Sequence, residues 1–196
     1  SRSLSATNDY LKENLVNITL GVTHKFTDNL SFNATYLNSS YDEDLREHNQ
    51  ANAYVKLADG TQSPSRILMQ CLVRQRHFRN NSFNTYFNYN VSTGSVHHRI
   101  LLGYDYFQMA QQAGSSAMTA GGYLLKDGTT TTAFKPANIA KYVLDKDGNP
   151  RTNVPYYDLT SNNNNIERDY SKYIFVSTAL SPYLQYSHGI YLQEQM

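Results

Sequence analysis

Residues 14–26 alternate strictly: Val16, Ile18, Leu20, Val22 and Phe26 fall on one parity, and Asn17, Thr19, Gly21, Thr23 and Lys25 on the other. Successive side chains of a strand point to opposite faces, so this pattern predicts a strand with one apolar and one wet face. Thr27, Asp28 and Asn29 turn the chain. Leu30, Phe32, Ala34 and Tyr36 then continue the apolar parity against Ser31, Asn33, Thr35 and Ser39, which predicts a tight hairpin. A second hairpin runs from Phe83, Phe87, Tyr89 and Val91 through Ser92-Thr93-Gly94-Ser95 into Val96, Ile100, Leu102, Tyr104 and Tyr106. The predicted strands cover residues 13–26, 30–41, 67–91, 96–109 and 172–196, an all-β, antiparallel up-and-down meander.

Between these hairpins lie two much longer polar stretches, and short turns on one side with long loops on the other are the layout of an outer-membrane β-barrel. The first, residues 42–66, carries the acidic run Asp42-Glu43-Asp44 with Gly60 and Pro64 and is expected to be an exposed excursion. The second, residues 111–171, carries Gly121-Gly122, Thr129 to Thr132, Asp147-Gly148-Asn149-Pro150 and four consecutive Asn from Asn162 to Asn165. Its only expected strands are short ones near residues 120–125 and 141–146, and no internal repeat is evident beyond the hairpin itself. Some 60 residues without a period are unusual in a compact domain but ordinary outside a large barrel. The expected third strand is long enough to project well beyond the membrane. About eight strands are needed to close the smallest membrane barrels, so a five-strand chain is expected to be one portion, residues 1–196, of a larger barrel. Nothing at the N-terminus has the basic start and apolar stretch of a leader, and no apolar run reaches the ~18 residues of a membrane helix.

Composition removes several function classes. A net charge of +1 offers no electrostatic basis for nucleic-acid binding, which needs clustered cations. Cys71 is the single cysteine, which leaves no disulfide framework and no CxxC metal spacing, and it reads as a strand residue without chemistry. Polarity is carried mainly by Asn, Ser, Thr and 17 Tyr, with only 17% charged residues. No convergent nucleophile, base and orienting group is visible, so an enzyme is not expected, nor an intrinsic cofactor. His97 and His98, adjacent in a strand, point to opposite faces and cannot chelate one metal. Asp145, Asp147 and Asn149 lack the spacing of a calcium loop and read as a polar turn. Asn17, Asn33, Asn38, Asn80 and Asn90 begin Asn-x-Ser/Thr sequons that matter only in a eukaryotic secretory protein.

Two segments carry a family resemblance. Leu101-Leu102-Gly103-Tyr104-Asp105-Tyr106 and Gly189-Ile190-Tyr191-Leu192-Gln193-Glu194-Gln195 are similar to segments of TonB-dependent siderophore receptors of the ferrichrome type. Leu102, Gly103 and Asp105 match the first pattern. Gly189, Tyr191, Gln193 and Gln195 match the second, with Glu194 where Asp is commoner. The resemblance implies a 22-stranded transmembrane β-barrel around an N-terminal plug, in the outer membrane of a Gram-negative bacterium. It implies uptake of an Fe(III)-siderophore driven by the TonB complex through the plug, with this chain an internal barrel portion. A transporter of the same architecture for cobalamin, haem or a glycan, a passive porin, and a soluble β-sandwich binding module remain open.

Binding residues are less legible. Arg74, Arg76, His77 and Arg79 form the one basic cluster, and three readings compete for it: lipopolysaccharide phosphates, an anionic ferric chelate, or solvation of an extended strand. Tyr86, Tyr106, Phe107 and Tyr191 are open to substrate or plug contact on one reading and to the interfacial aromatic girdle on the other.

Overall fold

The computed structural model describes residues 4–161 and 166–196, so the Asn162–Asn165 run lies outside the described residues. Four long strands come first: β1 (Tyr10–Lys25), β2 (Leu30–Lys56), β3 (Gln62–Thr93) and β4 (Val96–Gln111). Short ones follow: β5 (Ser116–Ala120), β6 (Tyr123–Leu124), β7 (Thr130–Thr131), β8 (Tyr157–Asp158) and β9 (Phe175–Ala179), before the longer β10 (Tyr183–Gln195). The main sheet has the order β1-β2-β3-β4-β10, so the antiparallel meander stands, as an open sheet. The chain divides into two compact units, and β2 and β3 contribute to both.

One unit comprises Glu13–Asp42, Arg76–Ser115 and Ser181–Met196. Both predicted hairpins are here. In the first, Phe26 N and Thr27 N donate to Leu30 O while Thr27 Oγ1 accepts from Asn29 N and Leu30 N. In the second, Thr93 pairs with Val96 across a turn in which Gly94 sits at φ 64°, a conformation glycine adopts without a Cβ penalty.

The other unit comprises residues up to Lys12, Glu43–Gln75 and Ser116–Leu180. It corrects three expectations. Residues 42–56 continue β2 instead of forming an excursion, and the first turn comes only at Leu57–Thr61. Acidic residues disfavour strands by propensity, yet their carboxylates find partners on neighbouring segments: Glu43, buried, accepts from Arg74 Nε at 2.7 Å, and Asp44 accepts from Tyr10 Oη at 3.2 Å. The predicted fifth strand is two, β9 and β10, split at Leu180–Pro182. Pro182 has no N–H to give a ladder, and β9 pairs with β5 while β10 pairs with β4.

The third correction concerns residues 111–171, which carry their own core. Met69, Cys71, Ala120, Val154 and Tyr157 form one buried cluster, and Val55, Leu68, Tyr123 and Tyr142 another. Leu68 lies in one cluster and Met69 in the other, so β3 is covered on both faces here, which accounts for the unbroken run Ile67-Leu68-Met69. A repeat also emerges. Leu57-Ala58-Asp59-Gly60-Thr61, Leu125-Lys126-Asp127-Gly128-Thr129 and Asp145-Lys146-Asp147-Gly148-Asn149 make one hairpin turn three times. In each, the first residue's N–H donates to the fifth residue's carbonyl and the glycine's N–H returns to the first, with φ 88°, 84° and 78° at Gly60, Gly128 and Gly148. Only glycine reaches this region cheaply, and a type I turn closed by such a residue is a standard hairpin connection. Asp59 and Asp127 fix their turns alike, each Oδ1 accepting from the following Thr at 2.9 Å (N) and 2.7 Å (Oγ1).

Asn153 clasps the stretch leading into β9. Buried at 5% exposure, its Nδ2 donates to Ile174 O at 2.8 Å and its Oδ1 accepts from Ile174 N at 3.0 Å. Asn153→Ala is expected to leave both backbone groups unpaired at a cost of about 1–3 kcal/mol each. Hydrogen exchange should show the Ile174 amide losing protection while amides of β4 and β10 keep theirs. Unchanged protection at Ile174 would contradict the clasp.

Candidate membrane-facing surface and functional residues

In the unit containing β4 and β10 the register sorts side chains into rows. On one face Phe87 pairs with Leu102 and Leu102 with Leu192, Thr85 with Tyr104 and Tyr104 with Ile190, and Tyr89 with Ile100. On the other face Asn84 pairs with Asp105 and Asp105 with Gly189, Tyr86 with Gly103 and Gly103 with Tyr191, and Asn88 with Leu101 and Leu101 with Gln193. The face with the aliphatics is bare: Leu102 is 48% exposed, Ile190 80% and Leu192 72%. Leu20 and Val22 of β1 are equally open, and Phe26, of the same parity, stacks 6.4 Å from Phe87. A contiguous apolar surface of this kind on a folded sheet marks an interaction site.

The apolar rows are bounded by polar and aromatic ones on the same face. Towards the turns, His98 Nδ1 lies 2.7 Å from Glu194 Oε1. At the opposite border Tyr36 Oη donates to Asn81 Oδ1 at 2.7 Å, Asn81 reaches Gln108 at 3.3 Å, and Tyr106 Oη reaches the same Gln108 at 3.2 Å. His188 sits among Tyr104, Tyr106 and Tyr186, with ring centroids 6.1, 5.1 and 5.8 Å away. Ten residue steps separate His98 from Gln108, which at ~3.3 Å per step sets the two borders roughly 33 Å apart along β4.

The resemblance-bearing residues meet across β4 and β10. The Tyr191 ring lies over Gly103, where an added Cβ would overlap it. Asn84 donates to Asp105 and also to Tyr191 Oη at 3.3 Å. Gly189 stands opposite Asp105. Gly103, Asp105, Gly189 and Tyr191 thus form one polar-face cluster whose evident work is to fix register, an aromatic covering a strand glycine. Leu102 belongs to the apolar face, while Gln193 and Gln195 continue the polar one opposite Leu101 and Arg99. Tyr86 and Tyr191 are therefore polar-face residues and not part of the aromatic border. Tyr106 lies in that border, and Phe107, 43% exposed, pairs with Ser82 and Ser187 on the polar face.

The basic cluster is not a free cationic patch. His77 Nδ1 lies 2.8 Å and Arg79 3.2 Å from Asp42 Oδ1, Arg74 is paired with Glu43, and the Arg76 guanidinium sits 5.7 Å from the Phe78 ring. Alternation along β3 divides these residues between its two faces. The acidic partners come from the very run read as an excursion. His97 and His98 have separate partners, Ser92 Oγ at 2.7 Å for His97. Asp145 Oδ1 accepts from Asp147 N and Asn149 N, each at 2.9 Å, the polar turn expected there.

Sequence reading missed a buried polar group in the other unit. Asp9 Oδ1 lies 2.9 Å from His48 Nδ1 and accepts from Tyr170 Oη, His48 Nε2 lies 3.0 Å from Tyr173 Oη, and Asp9 Oδ2 accepts from Ala6 N and His48 N. Burial pushes the Asp9 carboxyl up, but the hydrogen bonds led by Tyr170 outweigh it and hold the group below its ordinary value. Burial pushes the Tyr170 phenol up, helped by Asp9, and Cys71 beside this cluster rises to about 12, again chiefly by burial. A thiol held neutral is inert. The group ties residues 6–9 to β2 and to the segment before β9, with His48 buried at 5% exposure and Tyr170 reaching the surface beside Arg46 and Asp169. Residues 9, 48, 170 and 173 are too scattered in sequence for any local signal to have joined them.

Comparison with protein-family models gives no match, and no curated protein matches the chain.

The register cluster makes a direct prediction. Gly103→Ala should displace the Tyr191 ring, and Tyr191→Ala should uncover Gly103; each is expected to cost about 1 kcal/mol, the scale of a cross-strand aromatic pair. Because both remove the same contact, the double variant should cost no more than the larger single one. Additive losses in a denaturant series would show that the pair is not coupled.

Proposed function

We propose that this chain is part of a transmembrane β-barrel of the Gram-negative outer membrane, and specifically of a TonB-dependent receptor that imports a ferric siderophore. The observation that carries the membrane half is the two-faced sheet. An exposed face of aliphatic rows, bordered by tyrosines, histidines and amides at a spacing that suits an apolar bilayer core, is backed by a face of Asn, Asp, Gln and Gly suited to a wet lumen. A soluble sandwich would need a second sheet over Leu102 and Ile190, whose exposure argues against one. The open edges at β1 and β10 fit further strands of a 22-stranded barrel, since unpaired edge groups in hydrocarbon cost several kcal/mol each.

The transport half rests on the resemblance of the β4 and β10 segments, together with the shape of the other unit. A folded, loop-built unit with its own core is what a receptor needs to present a defined surface to a ligand. In this reading the plug lies elsewhere in the full protein and couples to TonB, lipid and lipopolysaccharide surround the apolar face, the iron chelate is cargo, and no bond is made or broken.

The test is a pair of substitutions one residue apart. Leu20 shares the parity of Phe26, on the apolar face. Thr19 shares that of Thr23, whose hydroxyl donates to Asn33 Oδ1 at 2.8 Å. With the full-length protein folded into phosphatidylcholine bilayers, Leu20→Arg should cost about 2–4 kcal/mol and Thr19→Arg at most about 1. Equal costs at the two positions would sink the membrane assignment.

A further inference from the structure

The third copy of the hairpin turn, Asp145–Asn149, borders a cleft of about 280 Å³ whose walls include Val55, Arg66, Lys146, Pro150, Arg151 and Tyr156. Its charges are unevenly satisfied. Asp145 and Asp147 also line it, but Asp145 Oδ1 is taken by the backbone N–H groups of Asp147 and Asn149, and Asp147 faces Lys146 at 3.6 Å. The two guanidinium groups have no such partner. Neither Arg66 nor Arg151 lies within ion-pair distance of a carboxylate among the described residues. Arg66 instead rests 4.8 Å from the centre of the Tyr156 ring and stands opposite Asp158 in the β3–β8 ladder. Asp158 Oδ1 accepts from Thr160, which holds that carboxyl below its ordinary value, and Arg66 helps to do so without a contact ion pair.

The rest of the wall sets Val55, Pro150, Pro155 and Tyr156 beside the polar Asn149 and Thr152. Val55 and Pro150 are buried, and Pro155 and Tyr156 complete the side next to Arg66. Two guanidinium forks over a slot of proline and tyrosine surfaces match a particular ligand chemistry. Arginine's planar fork pairs with both oxygens of a carboxylate, and a ring lies favourably against an aromatic face. A purely hydrated anion would leave the apolar wall unused, and a neutral ring would leave both arginines unpaired.

We propose that this cleft is a binding subsite for a small aromatic carboxylate, with the carboxylate held by Arg66 and Arg151 and the ring against Tyr156 and the exposed Pro155. The inference goes beyond the transport reading and concerns one unit alone, so it stands whether or not the other unit's sheet lies in a membrane.

Salicylate, which is fluorescent, serves as the probe, titrated against the whole chain in detergent micelles. Saturable binding is expected at roughly 0.1–1 mM, as suits a ligand of few atoms. Arg151→Ala should weaken it at least ~10-fold, a loss of the size expected for a charge-assisted bond, and Arg151→Lys should restore only part of it. Arg151 is exposed, so these variants leave the core untouched; Arg66→Ala should act similarly, with near-ultraviolet circular dichroism of the tyrosines reporting that the unit is still folded. Acetate, which has the charge without the ring, and benzyl alcohol, which has a ring without the charge, should each compete at least ~10-fold more weakly than salicylate does. Absence of saturation up to ~10 mM, equal affinity in Arg151→Ala, or competition by acetate at salicylate's own concentrations would each overturn the proposal.

Discussion

Side-chain alternation with a period of two is the constraint on which the rest of this molecule hangs. A slip of one residue between β4 and β10 would turn Ile190 and Leu192 to the polar face and bring Gly189, Tyr191 and Gln193 to the apolar one. The strand pair is held against that slip on both sides. On the polar face Tyr191 fits only over a residue without a Cβ, and Asn84 ties its hydroxyl to Asp105. On the other face His188 meets Tyr104 and Glu194 meets His98, each at 2.7 Å. None of these exposed contacts is individually strong. Their value lies in agreeing on one register.

The unit built from Glu43–Gln75 and Ser116–Leu180 obeys different rules. There β3 is covered on both faces, the partner strands are short, and polar side chains are buried with their partners, as with Glu43 and Arg74 or Asp9 and His48. A buried pair of this kind is weak evidence of stability but strong evidence of specific geometry, because removing one member leaves the other unpaired. Three copies of one glycine-closed turn allow the backbone to reverse repeatedly within a short stretch, and Ala58 N donating to Asn149 Oδ1 at 3.1 Å ties the first copy to the third. The unit is thus a packed body and not a set of loose loops.

How much of this the sequence disclosed follows from the same contrast. Where a strand has one apolar and one polar face, as in β1, the first half of β2 and β4, alternation reveals the strand, its face and its turn. Where both faces are covered, alternation vanishes: Ile67-Leu68-Met69 reads as a bare apolar run, and residues 42–56 read as a loop because their burial depends on ion pairs and hydrogen bonds with segments distant in sequence. The break at Pro182 and the Asp-Gly turn repeat were both visible as residues, and attention to proline inside a strand and to recurring five-residue strings would have found them. The motif residues Gly103, Asp105, Gly189 and Tyr191 were legible as a set, whereas their mutual contact needed the register. No pattern pointed to the pairing of Asp42 with His77 and Arg79, which braces β2 against β3.

The central claim is that the aliphatic face of the sheet meets lipid while the opposite face meets water. Spin labels placed one at a time at Gln185, Tyr186, Ser187, Leu192, Gln193 and Glu194 of β10, with the chain reconstituted in bilayers, report contact with oxygen, which concentrates in lipid, and with a water-soluble nickel chelate. The account predicts a period-two oscillation, with oxygen favoured at 192, the chelate favoured at 185, 187 and 193, and a rise in chelate contact at 186 and 194 near the two borders. Accessibilities that do not alternate along β10, or that favour the chelate at 192, would contradict it.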